Sequence, residues 1–231
     1  MSSADDSAAG RGGAVRVWDL PTRLFHWLLV VLIAVSVATG WFPEGNFTIH
    51  RWSGYGIATL LLFRLAWGLF GTRHARFADF VHGPRTVIAY ARELARFRPP
   101  PSLGHNPLGG WSIVAMLALI AAIIGTGLFG RSASHAGPLA RLVSRSTARL
   151  VNEVHEVLTD LILIVVAVHL LGVLIDWWLT RDNLVRAMID GRKWPHGAAS
   201  DFQAVPAWRA PACLAGAIAL LWAVVNLPSW L

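Results

Sequence analysis

The chain has 231 residues, of which 55% are hydrophobic and 14% are charged, and its mean hydropathy is +0.52. This composition is too apolar for an ordinary soluble domain of this length and indicates a membrane protein. The net charge of +7 would suit a nucleic-acid binder, but the positive residues form no single patch along the chain. We therefore expect a lipid bilayer and no nucleic acid as the partner.

Taken from the amino terminus, residues 1–14 are mostly Ser, Ala, Gly and Asp, with no secretory signal, and are predicted to form a disordered cytoplasmic tail. Five apolar runs near the twenty residues that a bilayer requires come next. Only helices suit runs of this length, because a helix satisfies its backbone groups internally. The predicted spans are Leu24–Phe42, Gly54–Phe70, Trp111–Phe129, Val154–Leu179 and Ala210–Leu231. Pro211 and Pro228 bracket the last, which leaves open a helix lying on the membrane surface.

The arginines and lysines favour a cytoplasmic amino terminus. In that orientation, fourteen of them lie in inner segments and five in outer ones, as the positive-inside rule requires. The protein is therefore predicted to cross the membrane several times with its amino terminus in the cytoplasm. Its single cysteine, Cys213, excludes an internal disulfide and the C-x-x-C-H attachment of a c-type haem. Any haem would be bound non-covalently.

Four of the nine histidines fall at or inside the predicted spans. His26 lies near the inner face, His50 and His155 lie near the outer face, and His169 lies about 21 Å inward of His155 along the same helix. Depth alone therefore pairs His50 with His155 and His26 with His169. Two imidazoles on opposite faces of a porphyrin give a six-coordinate electron-transfer haem. The pattern predicts two haem b groups stacked across the bilayer.

Two alternatives compete with this prediction. A single histidine near the end of a membrane helix is more often an interfacial residue than a ligand, although four in two matched pairs favour ligation. A zinc site would need four clustered nitrogen or sulfur ligands, and pairs this far apart cannot supply them.

Other residues fit a haem bundle without requiring one. Gly40 and Gly54 would allow a macrocycle to approach the backbone near the outer level, although glycine also helps membrane helices to pack. Gly125 and Gly127 could act similarly. Three isoleucines midway along the ligand faces would fill the space between the two haems: Ile33, Ile57 and Ile162.

Polar residues at depth have less certain roles. Arg64 is predicted to bind a haem propionate in two-pronged fashion, and snorkelling to the inner boundary is the alternative. Asp160 could take part in proton movement, whereas interfacial water would explain both it and Asp176. His74 and His105 border the inner face, where a quinone needs a hydrogen-bond donor, but no motif here is specific for a quinone site.

Four segments together resemble the bacterial cytochrome b561 family, in its nickel–iron hydrogenase cytochrome b branch. They are VRVWDLPTRLFHWLL, HRWSGY, RLAWGLFGTRHARFADFVHGP and NEVHEVLTDLILIVVAVHLLGV, and the similarity covers residues 15–195. The resemblance implies an all-α, four-helix, two-haem protein of the inner membrane that passes electrons between a periplasmic redox partner and the quinone pool. It also implies haem ligands at His26, His50, His155 and His169.

The chain departs from that pattern in two places. A fifth apolar segment follows residue 209, and the outer loop at residues 130–153 is long and carries four arginines. We therefore divide the chain into the tail, a four-helix di-haem domain at residues 15–195, and a linker with a C-terminal apolar helix at residues 196–231. The expected periplasmic partner is a cytochrome c or a hydrogenase-like protein.

Two rival functions remain at this point. The first keeps the haems but oxidises superoxide at the outer face and reduces quinone. The second is a haem-free transporter or membrane anchor whose histidines relay protons or lie at interfaces.

Overall fold

The computed structural model describes residues 14–42, 46–193 and 202–230. Within these ranges, five helices are long and apolar enough to cross a membrane. They are α1 (Leu20–Trp41), α2 (Phe47–Phe70), α5 (Pro107–Phe129), α6 (Arg145–Thr180) and α8 (Arg209–Asn226), the last continued by a 3-10 turn at Leu227–Ser229. The prediction of an all-α membrane protein is confirmed. The predicted tail lies outside the described residues except for Ala14.

Three of the helices, α1, α5 and α6, begin four to nine residues before the predicted apolar runs because polar residues cap them. Asp19, Asn106 and Ser144 each accept a hydrogen bond from a backbone N–H in the first turn of α1, α5 and α6, which satisfies donors that a helix start otherwise leaves unpaired. A search for apolar residues alone cannot detect these turns.

The predicted outer loop is too long. Helix α6 already begins at Arg145, so residues 145–153 extend the helix beyond the apolar run, and the connection between α5 and α6 is residues 130–144. Ser144 is the reason for the early start, because its hydroxyl accepts a hydrogen bond from the N–H of Thr147 at 3.1 Å. The charged residues of this segment predict a loop, and that prediction is wrong because the cap allows the helix to continue through them.

Two antiparallel helix pairs build the bundle. Helix α1 packs against α2, and α5 packs against α6, while α2 also contacts α5 and α8. The buried core runs along α2, with Ile57 and Ile162 buried and Ile33 packed against the same cluster. The three isoleucines expected between the two haem levels therefore do come together. Helix α2 forms the centre because it contacts three other membrane helices.

The C-terminal helix is a member of the bundle. Ala217 of α8 is buried in the core cluster along α2, and Cys213 packs against that cluster. Because α8 lies alongside a membrane-crossing helix, this packing supports a spanning helix instead of a surface one.

Short elements close one end of the bundle, where α1 begins and α6 ends. They comprise α3 (Phe77–Phe80), α4 (Pro84–Ala95) and α7 (Leu184–Asp190). Strand β1 (Val15–Arg16) pairs antiparallel with β2 (Arg192–Lys193), and the N–H groups of Val17 and Trp18 donate to the carbonyl of Gly191. This ribbon joins the chain before the first membrane helix to the chain after α7.

Candidate cofactor site

His50 and His155 face each other from different helix pairs. His50 lies on α2 and His155 on α6, and their ring centres are 6.2 Å apart with the rings nearly perpendicular at 84°. A metal held between two imidazoles requires ring centres about 6 Å apart, because each metal–nitrogen bond is about 2 Å long. The separation therefore suits one metal ion between the two rings.

The hydrogen bonds of these two rings fix which nitrogen of each ring carries the proton. Nδ1 of His50 lies 2.9 Å from the carbonyl oxygen of Ser36 on α1, and Nδ1 of His155 lies 3.0 Å from that of Ile123 on α5. A carbonyl only accepts, so each Nδ1 carries the proton and donates. In the neutral ring, Nε2 then keeps its lone pair, which is how histidine metal ligands are oriented in proteins.

Glycines give both rings access to these carbonyls. A Cβ at Gly40 would lie 3.3 Å from Cε1 of His50, and a Cβ at Gly127 would lie 3.1 Å from Cε1 of His155. Each glycine comes four residues after the accepting carbonyl, one helical turn along, so any side chain there would press on the imidazole. Gly127 thus repeats on α5 the role of Gly40 on α1.

Gly54 and Gly125 differ from these two glycines. A Cβ at either position would meet no atom within 4 Å. Packing between protein segments therefore does not explain why glycine occupies these two positions. Such a gap beside the ligand helices suits the close backbone approach that the sequence predicted for Gly54.

The inner histidines also lie in one region. His26 on α1 and His169 on α6 are near enough for the two charges to interact. Nδ1 of His26 is buried and has no hydrogen-bond partner among the described residues. A buried ring nitrogen without a partner is costly, and a metal bond would remove that cost.

The residues at both levels therefore fit haem b. The outer level offers opposed imidazoles with their tautomers set, and the inner level offers two imidazoles, one with an orphaned nitrogen. In each pair, one ligand comes from the α1–α2 pair and the other from α6. A planar group inserted between the two helix pairs would meet one imidazole on each face.

The side chain of Arg64 is buried and contacts other residues of the protein. It is 3% exposed, its Nη1 donates to the carbonyl of Ala75 at 2.9 Å, and its guanidinium lies 5.0 Å from the centre of the Phe77 ring. This burial leaves no snorkelling side chain. The remaining guanidinium donors stay available, so the propionate role is still a prediction.

A partly buried polar cluster lies around Asp176, seven residues beyond His169 on α6. Asn106 donates to Asp176 at 3.1 Å, and Nζ of Lys193 donates to the carbonyl of Ser102 at 3.2 Å. Burial lowers the pKa of Lys193, with Asp182 and Asp176 opposing the shift. Burial also raises the pKa of Tyr90 to about 12, and the charge of Asp176 adds to that shift.

His105 belongs to the same end of the bundle. Its ring lies 4.5 Å from that of Trp18 and 4.7 Å from that of Phe80, measured between centres. Burial, followed by the positive charges of Arg64 and Lys193, lowers the pKa of His105 to about 3. The ring is therefore neutral at physiological pH, and its buried Nδ1 has no partner among the described residues.

At the outer end, aromatic rings lie in a row from the α5–α6 connection to His50. The ring of His135, in the α5–α6 connection, stacks on Phe47 with centres 3.9 Å apart. Phe47 in turn lies 6.3 Å from His50 with the rings 21° from parallel. Three of the four arginines of the predicted outer loop are exposed, in the α5–α6 connection or at the start of α6: Arg141, Arg145 and Arg149.

Comparison with known proteins decides the family. The profile described as prokaryotic cytochrome b561 matches residues 17–191. The chain belongs to the prokaryotic cytochrome b561 family. Membership makes it a multi-pass b-type cytochrome, which binds haem b and transfers electrons across a membrane.

Relatives of this cytochrome agree with that membership. A probable Ni/Fe-hydrogenase B-type cytochrome subunit of Cupriavidus necator is 23% identical over 227 residues, which cover 82% of this chain and 92% of the relative. A probable Ni/Fe-hydrogenase 1 B-type cytochrome subunit of Escherichia coli is 26% identical over 52% of this chain and 62% of the relative. The corresponding protein of Azotobacter vinelandii is 30% identical over 42% and 50%. No solved structure matches the chain.

Asp19 is a buried residue of this cytochrome that the histidine and hydropathy patterns do not predict. It is 4% exposed and accepts from the N–H of Thr22 at 2.7 Å, from Nε1 of Trp67 at 3.0 Å and from the hydroxyl of Thr72 at 2.5 Å. Asp19 therefore fixes the start of α1, which carries His26, to the end of α2. The available signal was an aspartate before Leu-Pro at a predicted helix start, the position of an N-cap.

Proposed function

We propose that this cytochrome carries electrons across the bacterial inner membrane through two haem b groups, between a periplasmic redox partner and the quinone pool. His50 and His155 bind the outer haem, and His26 and His169 bind the inner one. A haem iron held by two imidazoles gains and releases one electron at a time. The single observation that carries the proposal is the opposed pair His50 and His155, with both Nδ1 atoms bound to carbonyls.

Residues of the protein orient the haem ligands, exclude water and leave room for the outer haem. The carbonyls of Ser36 and Ile123 orient the outer ligands, and the isoleucines between the levels exclude water from the middle of the bundle. Gly54 leaves room beside α2 for the outer macrocycle, and Arg64 has guanidinium donors for a propionate. The relatives are named as hydrogenase subunits, which supports a hydrogenase-like donor at the outer face.

We place the quinone at the inner end, beside the cluster of Asp176, Asn106 and Lys193. Asp176 follows His169 by seven residues, which is two helical turns, so it lies on the same face of α6 about 10 Å further along. Reduction of a quinone consumes protons as well as electrons. A carboxylate held by Asn106 beside the inner ligand is placed to deliver them from the cytoplasm.

The ligand assignment is tested by haem counting. The full-length protein, expressed with ample haem, should give two haems per chain in a pyridine haemochrome assay and two steps in a redox titration. His155→Ala and His169→Ala should each retain one haem and lose a different step, whereas the loop variant His82→Ala should retain both. Retention of both haems by either ligand variant would show that the pairing is wrong, and a colourless wild type would refute haem binding.

The quinone placement has its own test. Asp176→Asn should keep both haems yet slow oxidation of the reduced protein by a soluble ubiquinone analogue about a hundredfold or more, since general acid catalysis contributes about 10²- to 10⁴-fold. Asp190→Asn is the control, because it removes an exposed carboxylate from α7 at the same end of the bundle. A quinone rate for Asp176→Asn equal to that of the wild type would remove Asp176 from the proton route while leaving the haem assignment intact.

A further inference from the structure

A cavity of about 730 Å³ lies between α2 and α8. Helix α8 follows residues 17–191, the part of the chain that matches the family. The walls of the cavity are almost entirely apolar, including Leu62 and Leu69 of α2 and Gly216 of α8. Two guanidinium groups line the same cavity, Arg76 and Arg209. An apolar slot that ends at two cations matches a molecule with a hydrocarbon chain and an anionic head.

The cavity faces away from the haem ligands. Counting 100° per residue, Leu62, Ala66 and Leu69 lie about 100–160° round α2 from His50. A redox-active quinone bound here would therefore be separated from the ligand face by α2 itself. This geometry argues against an electron acceptor as the occupant.

Few contacts within the described residues account for the two arginines of the cavity. Arg76 is exposed and forms no ion pair among the described residues. Arg209 is half-buried and donates to the carbonyl of Phe70 at 3.3 Å. It also occupies the first turn of α8, where a positive side chain is unfavourable for the helix dipole. Helix stability therefore does not explain Arg209.

The amino terminus of α8 reaches the cavity through Trp208 and Arg209. Its N-cap, Trp208, makes no side-chain capping bond, but the N–H of Arg209 donates to the carbonyl of Pro206 at 3.1 Å, and Pro211 has no N–H to offer. The contact with an anionic head therefore depends on the two guanidinium groups. Trp208 itself is 67% exposed, as suits an indole at the lipid–water boundary.

We propose that this cavity binds one anionic phospholipid, with an acyl chain between α2 and α8 and the phosphate between Arg76 and Arg209. Basic pockets between membrane helices on the cytoplasmic side bind anionic lipid head groups. The site would attach α8 to the four-helix part through a shared lipid. This inference does not depend on the haem assignment, because none of its residues is a proposed haem ligand.

The head-group contact is tested on the full-length protein by native mass spectrometry. Delipidated protein titrated with phosphatidylglycerol should retain one lipid in preference to phosphatidylcholine. Arg76→Gln with Arg209→Gln should weaken phosphatidylglycerol binding on the order of 30-fold, since each cation near an anionic lipid contributes about a factor of five. Arg85→Gln with Arg92→Gln removes two exposed arginines from α4 on the same side and should leave binding unchanged.

The chain contact is tested separately. A Cβ at Gly216 would meet no protein atom within 4 Å, and Gly216 lines the cavity, so Gly216→Leu should fill the cavity without disturbing the bundle and reduce lipid retention. Ala219→Leu makes a similar change at an exposed position of α8 and is the control. Cys213 also lines the cavity, so phosphatidylglycerol should slow its alkylation by N-ethylmaleimide.

Three results would overturn the proposal. They are equal retention of phosphatidylglycerol and phosphatidylcholine by the wild type, unchanged binding in the double arginine variant, and displacement of the lipid by a soluble ubiquinone analogue. The last would assign the cavity to a quinone. The haem content of every variant is measured in parallel and should equal that of the wild type.

Discussion

At the scale of single residues, the outer pair shows how backbone groups prepare a side chain for a cofactor. The carbonyls of Ser36 and Ile123 accept from the imidazoles of His50 and His155, and each also accepts from a threonine hydroxyl of its own helix, that of Thr39 at 3.2 Å or of Thr126 at 2.9 Å. A glycine one turn later leaves room for the ring. The two helix pairs thus present their histidines in the same way, through Gly40 on one side and Gly127 on the other.

Gly54 allows a test that separates the cofactor from the protein. Because a Cβ there meets no protein atom within 4 Å, Gly54→Leu should fold normally but occupy the space expected for the outer macrocycle. We expect loss of about one haem per chain in the pyridine haemochrome assay, as in the ligand variants, with the melting temperature of the haem-free protein unchanged. Gly172→Leu, at an exposed position of α6 that is equally open, should retain both haems.

His105 predicts a pH dependence of stability. Its pKa is about 3 in the folded protein and near 6.5 when unfolded, so below pH 6.5 the unfolded chain binds a proton that the folded one does not. The free energy of unfolding should then fall by about 1.4 kcal/mol per pH unit as the pH drops from 6.5 towards 3.

Thermal unfolding in detergent between pH 7.5 and 5 measures this effect. His105→Phe keeps a ring between Trp18 and Phe80 but cannot titrate, so its melting temperature should depend less on pH than that of the wild type. Identical pH profiles for the two proteins would show that His105 does not supply the dependence.

Sequence patterns predict four histidines as haem ligands, but they predict only part of the surroundings of these residues. Spacing along α6 fixes the depth of His155 and His169, since helical rise is constant. The partners of Nδ1 are backbone carbonyls on neighbouring helices, and no residue type marks a carbonyl that accepts a second bond. The roles of Ser36, Ile123 and Gly127 therefore required a three-dimensional arrangement.

At the scale of elements, the apolar runs predicted all five membrane helices but placed most of their ends inaccurately. Hydropathy measures what lipid tolerates, whereas helix ends are set by caps and by packing. Helix α6 is the clearest case, because Ser144 begins it nine residues before the apolar run does. The amphipathic helix α4 was also overlooked, since its alternation of apolar residues with Arg85, Arg92 and Glu93 resembles a charged loop to a hydropathy scan.

The junction of α1 and α2 through Asp19 predicts a large effect on stability. Asp19→Ala removes the cap of α1 and leaves the donors of Trp67 and Thr72 unpaired in a buried place, which should cost about 3 kcal/mol in the free energy of unfolding. The melting temperature in detergent should fall by several degrees.

Two comparison variants make the Asp19 measurement specific. Asp160→Ala, which removes an exposed carboxylate from α6, should change the melting temperature little. Asp19→Asn keeps an acceptor for the N–H of Thr22 and should lie between Asp19→Ala and the wild type. A melting temperature for Asp19→Ala equal to that of the wild type would contradict the role of this junction.

At the scale of the whole molecule, charge is distributed unevenly between the two ends of the bundle. The end that holds α3, α4 and α7 has most of the arginines, which is the basis for assigning it to the cytoplasm. The opposite end has fewer, but Arg141, Arg145 and Arg149 are exposed in the α5–α6 connection and at the start of α6. These three arginines form a positive rim at that end, which would attract an acidic redox partner.

This arrangement predicts charge-dependent electron exchange at the periplasmic face only. In spheroplasts, which expose that face, oxidation of the reduced cytochrome by impermeant ferricyanide should become several-fold slower when Arg141, Arg145 and Arg149 are all changed to Gln. Added salt should slow the wild type but have little effect on this variant, because exposed charges are screened within about 10 Å at 0.1 M. The cationic oxidant hexaammineruthenium(III) should respond in the opposite direction. Changing Arg85, Arg92 and Arg96 to Gln should leave both rates in spheroplasts unaltered and slow ferricyanide only in inverted vesicles. If the outer arginines act in inverted vesicles instead, the amino terminus is periplasmic and the haem levels exchange sides; if neither oxidant responds to charge, the rim does not steer a partner.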